Sequence, residues 1–140
     1  LAMPIVAADL DGDDDADLAF SSYEPGEVRV LLNDGSGGFG APLVHEGLTR
    51  GLSLRAVDMN NDGALDLVVG CVTAGDSLGV LLNSGDGTFS GPQLHGQKHV
   101  FQPLTPAVHA ISAADLDADG RIDLAVASDG VQVMRNVCLP

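Results

Sequence analysis

Large aromatic side chains are scarce in this sequence: it has no Trp, one Tyr and four Phe. A core built with so few rings must rest on Val, Leu, Ile and Ala, and its β-branched members favour pleated strands. Positive charge is also scarce. Six Lys and Arg residues cannot neutralise a run of phosphates, which excludes a nucleic-acid partner. Two cysteines, Cys71 and Cys138, are too few for a disulfide scaffold. Pairing between them stays open, but nothing in the sequence brings them together, and buried free thiols are the expectation. No apolar run approaches the roughly 20 residues needed to cross a bilayer, so no membrane span is expected. No signal peptide is visible and the chain opens at Leu1, which marks a mature form or an excised piece of a longer protein. No H-E-x-x-H or P-loop motif occurs, and no G-x-S-x-G or G-x-G-x-x-G stands in the strand-turn-helix setting of a nucleophile elbow or a Rossmann fingerprint, so the chain itself is not expected to be an enzyme.

What is abundant is Asp and Gly. The 140 residues are one ordinary domain's worth, 45% apolar and 19% charged, which is the composition of a folded chain. The net charge is −14, yet it is concentrated: thirteen of the twenty acidic residues fall in three short loops. The loops run from Asp9 to Leu18, from Asp58 to Leu67 and from Asp115 to Leu124. In each, carboxylate or amide oxygens occupy positions 1, 3, 5 and 9: Asp9, Asp11, Asp13 and Asp17; Asp58, Asn60, Asp62 and Asp66; Asp115, Asp117, Asp119 and Asp123. Position 6 is Gly63 or Gly120 in two loops and Asp14 in the first. Short oxygen-bearing side chains at alternating positions of a tight turn converge on one point, which suits a hard cation such as Ca²⁺. The Gly supplies the positive φ of a sharp bend without a Cβ penalty. Asp and Asn also cap ordinary turns, but four like charges a few ångströms apart repel unless a cation is present. Three Ca²⁺ ions are therefore expected, in a structural role, and would bring the net charge from −14 to −8.

Short apolar runs flank every loop: Ile5 to Ala8 and Leu18 to Phe20, Leu54 to Val57 and Leu67 to Val69, Ala110 to Ala114 and Leu124 to Val126. They are too short for helices and read as strands, which makes each loop the turn of a hairpin. A second pattern repeats at a spacing of fifty. Val30-Leu31-Leu32-Asn33, followed by a Gly-rich turn, Phe39 and Pro42, matches Val80-Leu81-Leu82-Asn83, followed by a Gly-rich turn, Phe89 and Pro92. The Pro suits an outer edge strand. The third copy, Val131 to Asn136, has no outer strand after it. The unit is four antiparallel strands in about fifty residues, which predicts an all-β β-propeller. A parallel β-helix has a repeat too short to fit. Blade one spans 4–47, blade two 53–97 and blade three, without its outer strand, 107–137.

The D-x-[DN]-x-D-G-x-x-D loop followed by V-L-L-N-x-G-x-G-x-F resembles the FG-GAP/VCBS repeat, shared by the integrin α-subunit propeller and many bacterial secreted proteins. Asp14 and the missing outer strand depart from that pattern. An EF-hand, whose loop begins similarly, is excluded: it needs a Glu at position 12, where this chain has Phe20, Val69 and Val126, and it needs flanking helices. The resemblance implies that position 7 adds a backbone carbonyl, from Asp15, Ala64 and Arg121, to the side chains already named. It also implies an extracellular or cell-surface location and a binding or adhesion role toward a protein or glycan. The propeller of a secreted polysaccharide-degrading enzyme and a purely structural spacer are the alternatives.

Alternating strand direction puts the acidic loops and Gly-rich turns at one end of the blades. The variable segments lie at the other: Ser21 to Glu27, Leu48 to Ser53, Cys71 to Gly79, and Gln93 to Val108. The last carries Lys98, His99 and Phe101 and is seven residues longer than its counterpart. Such a face is where a ligand is expected. His45 and His95 fall at equivalent repeat positions, whereas His99 and His109 stand singly. Because a propeller closes with at least four blades, completion by further blades or self-association is expected.

Overall fold

Every apolar run beside an acidic loop is a strand in the computed structural model, which describes residues 3–48, 50–72, 78–91, 93–94 and 107–136. Blade one contains β1 (Ile5–Ala8), β2 (Asp17–Ser21), β3 (Glu27–Leu31) and β4 (Leu43–Glu46). Blade two contains β5 (Ser53–Val57), β6 (Asp66–Gly70), β7 (Leu78–Leu81) and β8 (Gln93–Leu94). Blade three contains β9 (Ala110–Ala114), β10 (Asp123–Ala127) and β11 (Val131–Met134). Each blade is an antiparallel meander with its strands in sequence order, and no helix occurs among the described residues. Register repeats as closely as sequence does: Ala19 faces Val30, Val68 faces Val80, and Ala125 faces Val133.

The blades pack face to face, with β5 beside both β1 and β9, so the first strands lie together on the inside. Alternation within a strand decides which blade a side chain meets. From β6, Leu67 and Val69 join Leu10, Val28 and Val30 of blade one in a buried cluster. Val68, between them, joins Ile111, Leu124 and Val126 of blade three in a second cluster. Covered on both faces, β6 is buried along its whole length. Each Leu or Val buried this way contributes about 1.5–3 kcal/mol relative to exposure. Outer strand β4 carries Pro42 just before it and leaves Leu43 and Val44 exposed, as an edge permits. The three blades form an open β-propeller-like array, and the described residues do not close into a ring.

Candidate metal centres

The hairpin turns are built on the carboxylates themselves, by the same bonds in each copy. The position 1 carboxylate accepts backbone N–H groups from the loop ahead of it: Asp58 from Asn61, Asp62 and Gly63, and Asp115 from Ala118, Asp119 and Gly120. Asp9 accepts from Gly12 and Asp14. Position 5 accepts the N–H of position 7 at 2.9 Å in all three loops, as Asp13 from Asp15, Asp62 from Ala64, and Asp119 from Arg121. These bonds hold the chain to positive φ at two places. Position 6 is one, with Asp14 at 70°, Gly63 at 93° and Gly120 at 86°. Position 4 is the other, with Gly12 at 82°, Asn61 at 63° and Ala118 at 63°.

Position 9 does something different. Asp17, Asp66 and Asp123 are buried, and each staples two segments together. One carboxylate oxygen accepts the N–H of loop position 2, Leu10, Met59 or Leu116, at 2.8–3.0 Å. The other accepts the N–H of Asn33, Asn83 or Asn136 at 2.8 Å, just after the third strand. Each carboxylate oxygen keeps a second lone pair that a cation can use. Burial pushes the Asp66 carboxyl above the ordinary carboxylate value, against the pull of its two N–H donors.

The Asn so anchored ties neighbouring blades. Asn83 donates to the Leu65 carbonyl in its own blade at 3.0 Å and to the Leu10 carbonyl of blade one at 2.7 Å. Asn136 donates to the Met59 carbonyl of blade two at 2.7 Å. Asn33 donates to Ala16 in its own blade at 3.1 Å. In the sequence Asn33 and Asn83 read only as part of a repeated V-L-L-N, and Asn136 as the end of its third copy, Val131 to Asn136; no local pattern shows that the amide reaches another blade.

The three loops differ in how their charge is met. In loop one, Asp9, Asp11 and Asp17 bring carboxylate oxygens within 4.8 Å of one another. Asp11 Oδ1 is buried there without a hydrogen-bond partner. Desolvation, then the charges of Asp17 and Asp13, holds the Asp11 carboxyl above its ordinary value. In loop three, Asp115, Asp117 and Asp119 converge similarly and are exposed. Arg121 pairs with Asp119 at 2.5 Å and Arg135 with Asp117 at 3.2 Å. Backbone N–H groups, that of Gly120 foremost, hold Asp115 below the usual carboxylate value. Loop two gathers no three carboxylates among the described residues. Its Asn60 amide donates to Asp62 at 2.7 Å and accepts from the Asp62 N–H at 3.0 Å. Of the candidate ligands, then, Asp9, Asp11 and Asp17 in loop one and Asp115, Asp117 and Asp119 in loop three are brought together, and the loop-one cluster is the more buried. Asp13 and the position 7 residues Asp15, Ala64 and Arg121 sit in the same turns through their backbone bonds. A donor set of hard oxygens that includes a buried carboxylate oxygen without a hydrogen-bond partner fits a divalent cation in loop one.

The acidic loops and Gly-rich turns share one end, where a cleft of about 590 Å³ is lined by residues including Asp9, Gly12, Asp62, Asn83 and Gly85. At the other end the Arg50 guanidinium lies 5.1 Å from the centre of the Tyr23 ring, and Leu48 and Leu52 hydrogen-bond to Gly26 and Gly70. His45 packs edge-on to Phe89 of the next blade, 5.6 Å between ring centres, and burial pushes its pKa down. Cys71 is a buried free thiol whose pKa burial raises to about 11. Lys98, His99, Phe101, His95 and Cys138 lie outside the described residues.

No curated protein matches the chain significantly. Residues 9–69, from the first ligand position of loop one into β6, match the family model of the FG-GAP-like repeat, and over that stretch the chain is similar to that family.

Proposed function

We propose that this chain is a calcium-stabilised β-propeller segment of an extracellular protein, and that it binds a protein or a glycan at the end of the blades opposite the acidic loops. The observation that carries the calcium reading is the Asp9, Asp11 and Asp17 cluster around the unpartnered Asp11 Oδ1. A bound ion would offset the mutual repulsion of these carboxylates and couple its binding free energy to folding. The residues that would hold it are Asp9, Asp11, Asp13 and Asp17 with the carbonyl of Asp15, and their counterparts in loops two and three. Loop three would bind more weakly, because Arg121 and Arg135 already pair with two of its carboxylates.

The binding reading is supported by the division of the blade into a repeated end and a variable end. The variable end carries the only Tyr of the chain, Tyr23, stacked under Arg50. Tyr and Arg are the residue types most often found as interface anchors. Calorimetric titration of Ca²⁺ into chelator-stripped protein tests the first half: saturable binding that weakens in Asp11→Asn is expected, and no binding at millimolar Ca²⁺ would refute it. A glycan array and a pull-down from extracellular fluid, each repeated with Tyr23→Ala and Arg50→Ala, test the second. Capture that both variants leave unchanged would move the binding face elsewhere.

A further inference from the structure

The repeat permits a comparison of like positions that isolates one surface. Position 2 of the acidic loop is Leu10, Met59 and Leu116; Leu10 is 1% exposed, Met59 packs at the edge of the second cluster, and Leu116 is 50% exposed. On the third strand, Val28 and Val30 of blade one and Leu78 and Val80 of blade two are all buried, at 0–3% exposure. Their register equivalents in blade three, Val131 and Val133, are 76% and 55% exposed. In the first two blades these positions are covered by the blade that follows. The side of blade three that bears Val131, Val133 and Leu116 is thus chemically a blade-docking face without a blade on it.

The opposite side of blade one is its counterpart. Leu18, Phe20 and Leu31 stand in register with Leu67, Val69 and Leu81, which are fully buried against blade one, yet in blade one they are only partly covered. Ile5, paired with Phe20 on β1, is 63% exposed. The polar groups match too. Asn83 gives one amide hydrogen to its own blade and the other to the position 2 carbonyl of the blade before it. Asn33 gives its amide to Ala16 of its own blade and to no preceding blade, and no described residue donates to the Leu116 carbonyl.

We infer that the open side of blade three docks on the open side of blade one of a second copy of this chain, with the Asn33 amide of one copy donating to the Leu116 carbonyl of the other. The contact continues the pattern of the two blade contacts within the chain, and it joins two different faces. Such a head-to-tail interface closes when the rotation permits, and two copies of three blades make a six-bladed ring. The inference stands apart from the calcium reading, because it rests on apolar faces and one amide.

Sedimentation velocity on the whole chain tests it, with Ile5→Asp and Val133→Asp as the variants. Both residues are exposed in the single chain, so neither substitution disturbs the fold, which circular dichroism would verify. At micromolar concentration the unaltered chain is expected at about twice its 14.3 kDa mass, and each variant alone at the monomer mass. An equimolar mixture of the two variants keeps one intact interface, between the Val133 side of one chain and the Ile5 side of the other, and is expected to yield a two-chain species. An unaltered chain that stays monomeric at 100 µM would overturn the inference, since the face would then be covered by something else. So would association that survives Val133→Asp, or variants that fail to pair on mixing.

Discussion

The side-chain amide of Asn83 donates to the main-chain carbonyl of Leu10, 73 positions earlier, at 2.7 Å, and so locks blade two to the acidic turn of blade one. Asn83 is buried, and Asp66, itself buried, fixes its backbone. The acidic loop therefore serves as the hinge point of a blade-to-blade contact as well as a candidate ion site, and the stability of the array depends on both.

Replacing Asn83 by Ala leaves the Leu10 and Leu65 carbonyls without their donor, and a cost of about 2–3 kcal/mol is expected. Asn33→Ala removes one donor bond, to Ala16, besides Oδ1 bonds to the Gly-rich turn of the kind Asn83 also makes, and in the monomeric Val133→Asp background it is expected to cost about 1 kcal/mol. Urea denaturation of the two variants measures the difference. Equal losses would mean that the contact between blades adds nothing.

Backbone conformation gives a second test, free of contacts. Nothing lies within 4 Å of a Cβ built on Gly63 or Gly120, so Gly→Ala at either changes only the strain of positive φ. Each is expected to cost about 1–2 kcal/mol. In the other direction, Ala118→Gly and Asp14→Gly relieve φ values of 63° and 70° and are expected to stabilise by up to about 1 kcal/mol. A loss of stability in Asp14→Gly would show that the Asp14 side chain itself helps hold the loop.

Close approach, and not φ, is what requires glycine at Gly70. A Cβ there would collide with the Ser53 hydroxyl and come within 2.5 Å of Val108 Cγ1. Gly70→Ala is expected to destabilise by about 1–3 kcal/mol. Adding Val108→Ala to that variant should recover part of the loss, visible as a sub-additive double-mutant cycle. Strict additivity would argue against the clash.

The acidic loops also fix a pH dependence. Asp11 and Asp66 are held above the ordinary carboxylate value in the folded chain. The metal-free fold thus binds their protons more tightly than the unfolded chain does. Their contribution is favourable below the unfolded pKa and is lost as pH rises through the folded one. Calcium needs the ionised form, so its stabilising effect should shrink as pH falls from 7 to about 4. Asp34, Asp86 and Asp115 are shifted downward and act in the opposite sense, but they are exposed and screened. Melting at several pH values, with and without Ca²⁺, measures the narrowing. A calcium increment that stays constant over that range would contradict it.

Much of the fold is legible in the sequence because it is local and repeated. The apolar runs from Ile5, Leu54 and Ala110 announce first strands, and Gly63 and Gly120 announce the bend of their loops. The V-L-L-N repeats place the third strands of blades one and two and the turns beyond them. Features that join distant segments were not legible. The amide of Asn83 looks like any turn Asn until Leu10 is beside it. The second positive φ, at position 4, is visible in Gly12 and Asn61 but hidden by Ala118, a residue that pays strain to sit there. Spacing alone makes the three loops look alike as ion sites. Packing distinguishes them, because Arg135 comes from a neighbouring strand end to meet Asp117, and among the described residues no such cation pairs with Asp11.

The most direct test of the account is the melting temperature of the chain in excess Ca²⁺ against the same protein in chelator. At a concentration a hundredfold above its dissociation constant, each occupied loop adds about 2.7 kcal/mol. The account predicts a higher midpoint in Ca²⁺, with Asp11→Asn raising the chelator midpoint by relieving repulsion and reducing the calcium increment. A midpoint identical in Ca²⁺ and chelator would contradict it, and would leave the carboxylates as turn-builders alone.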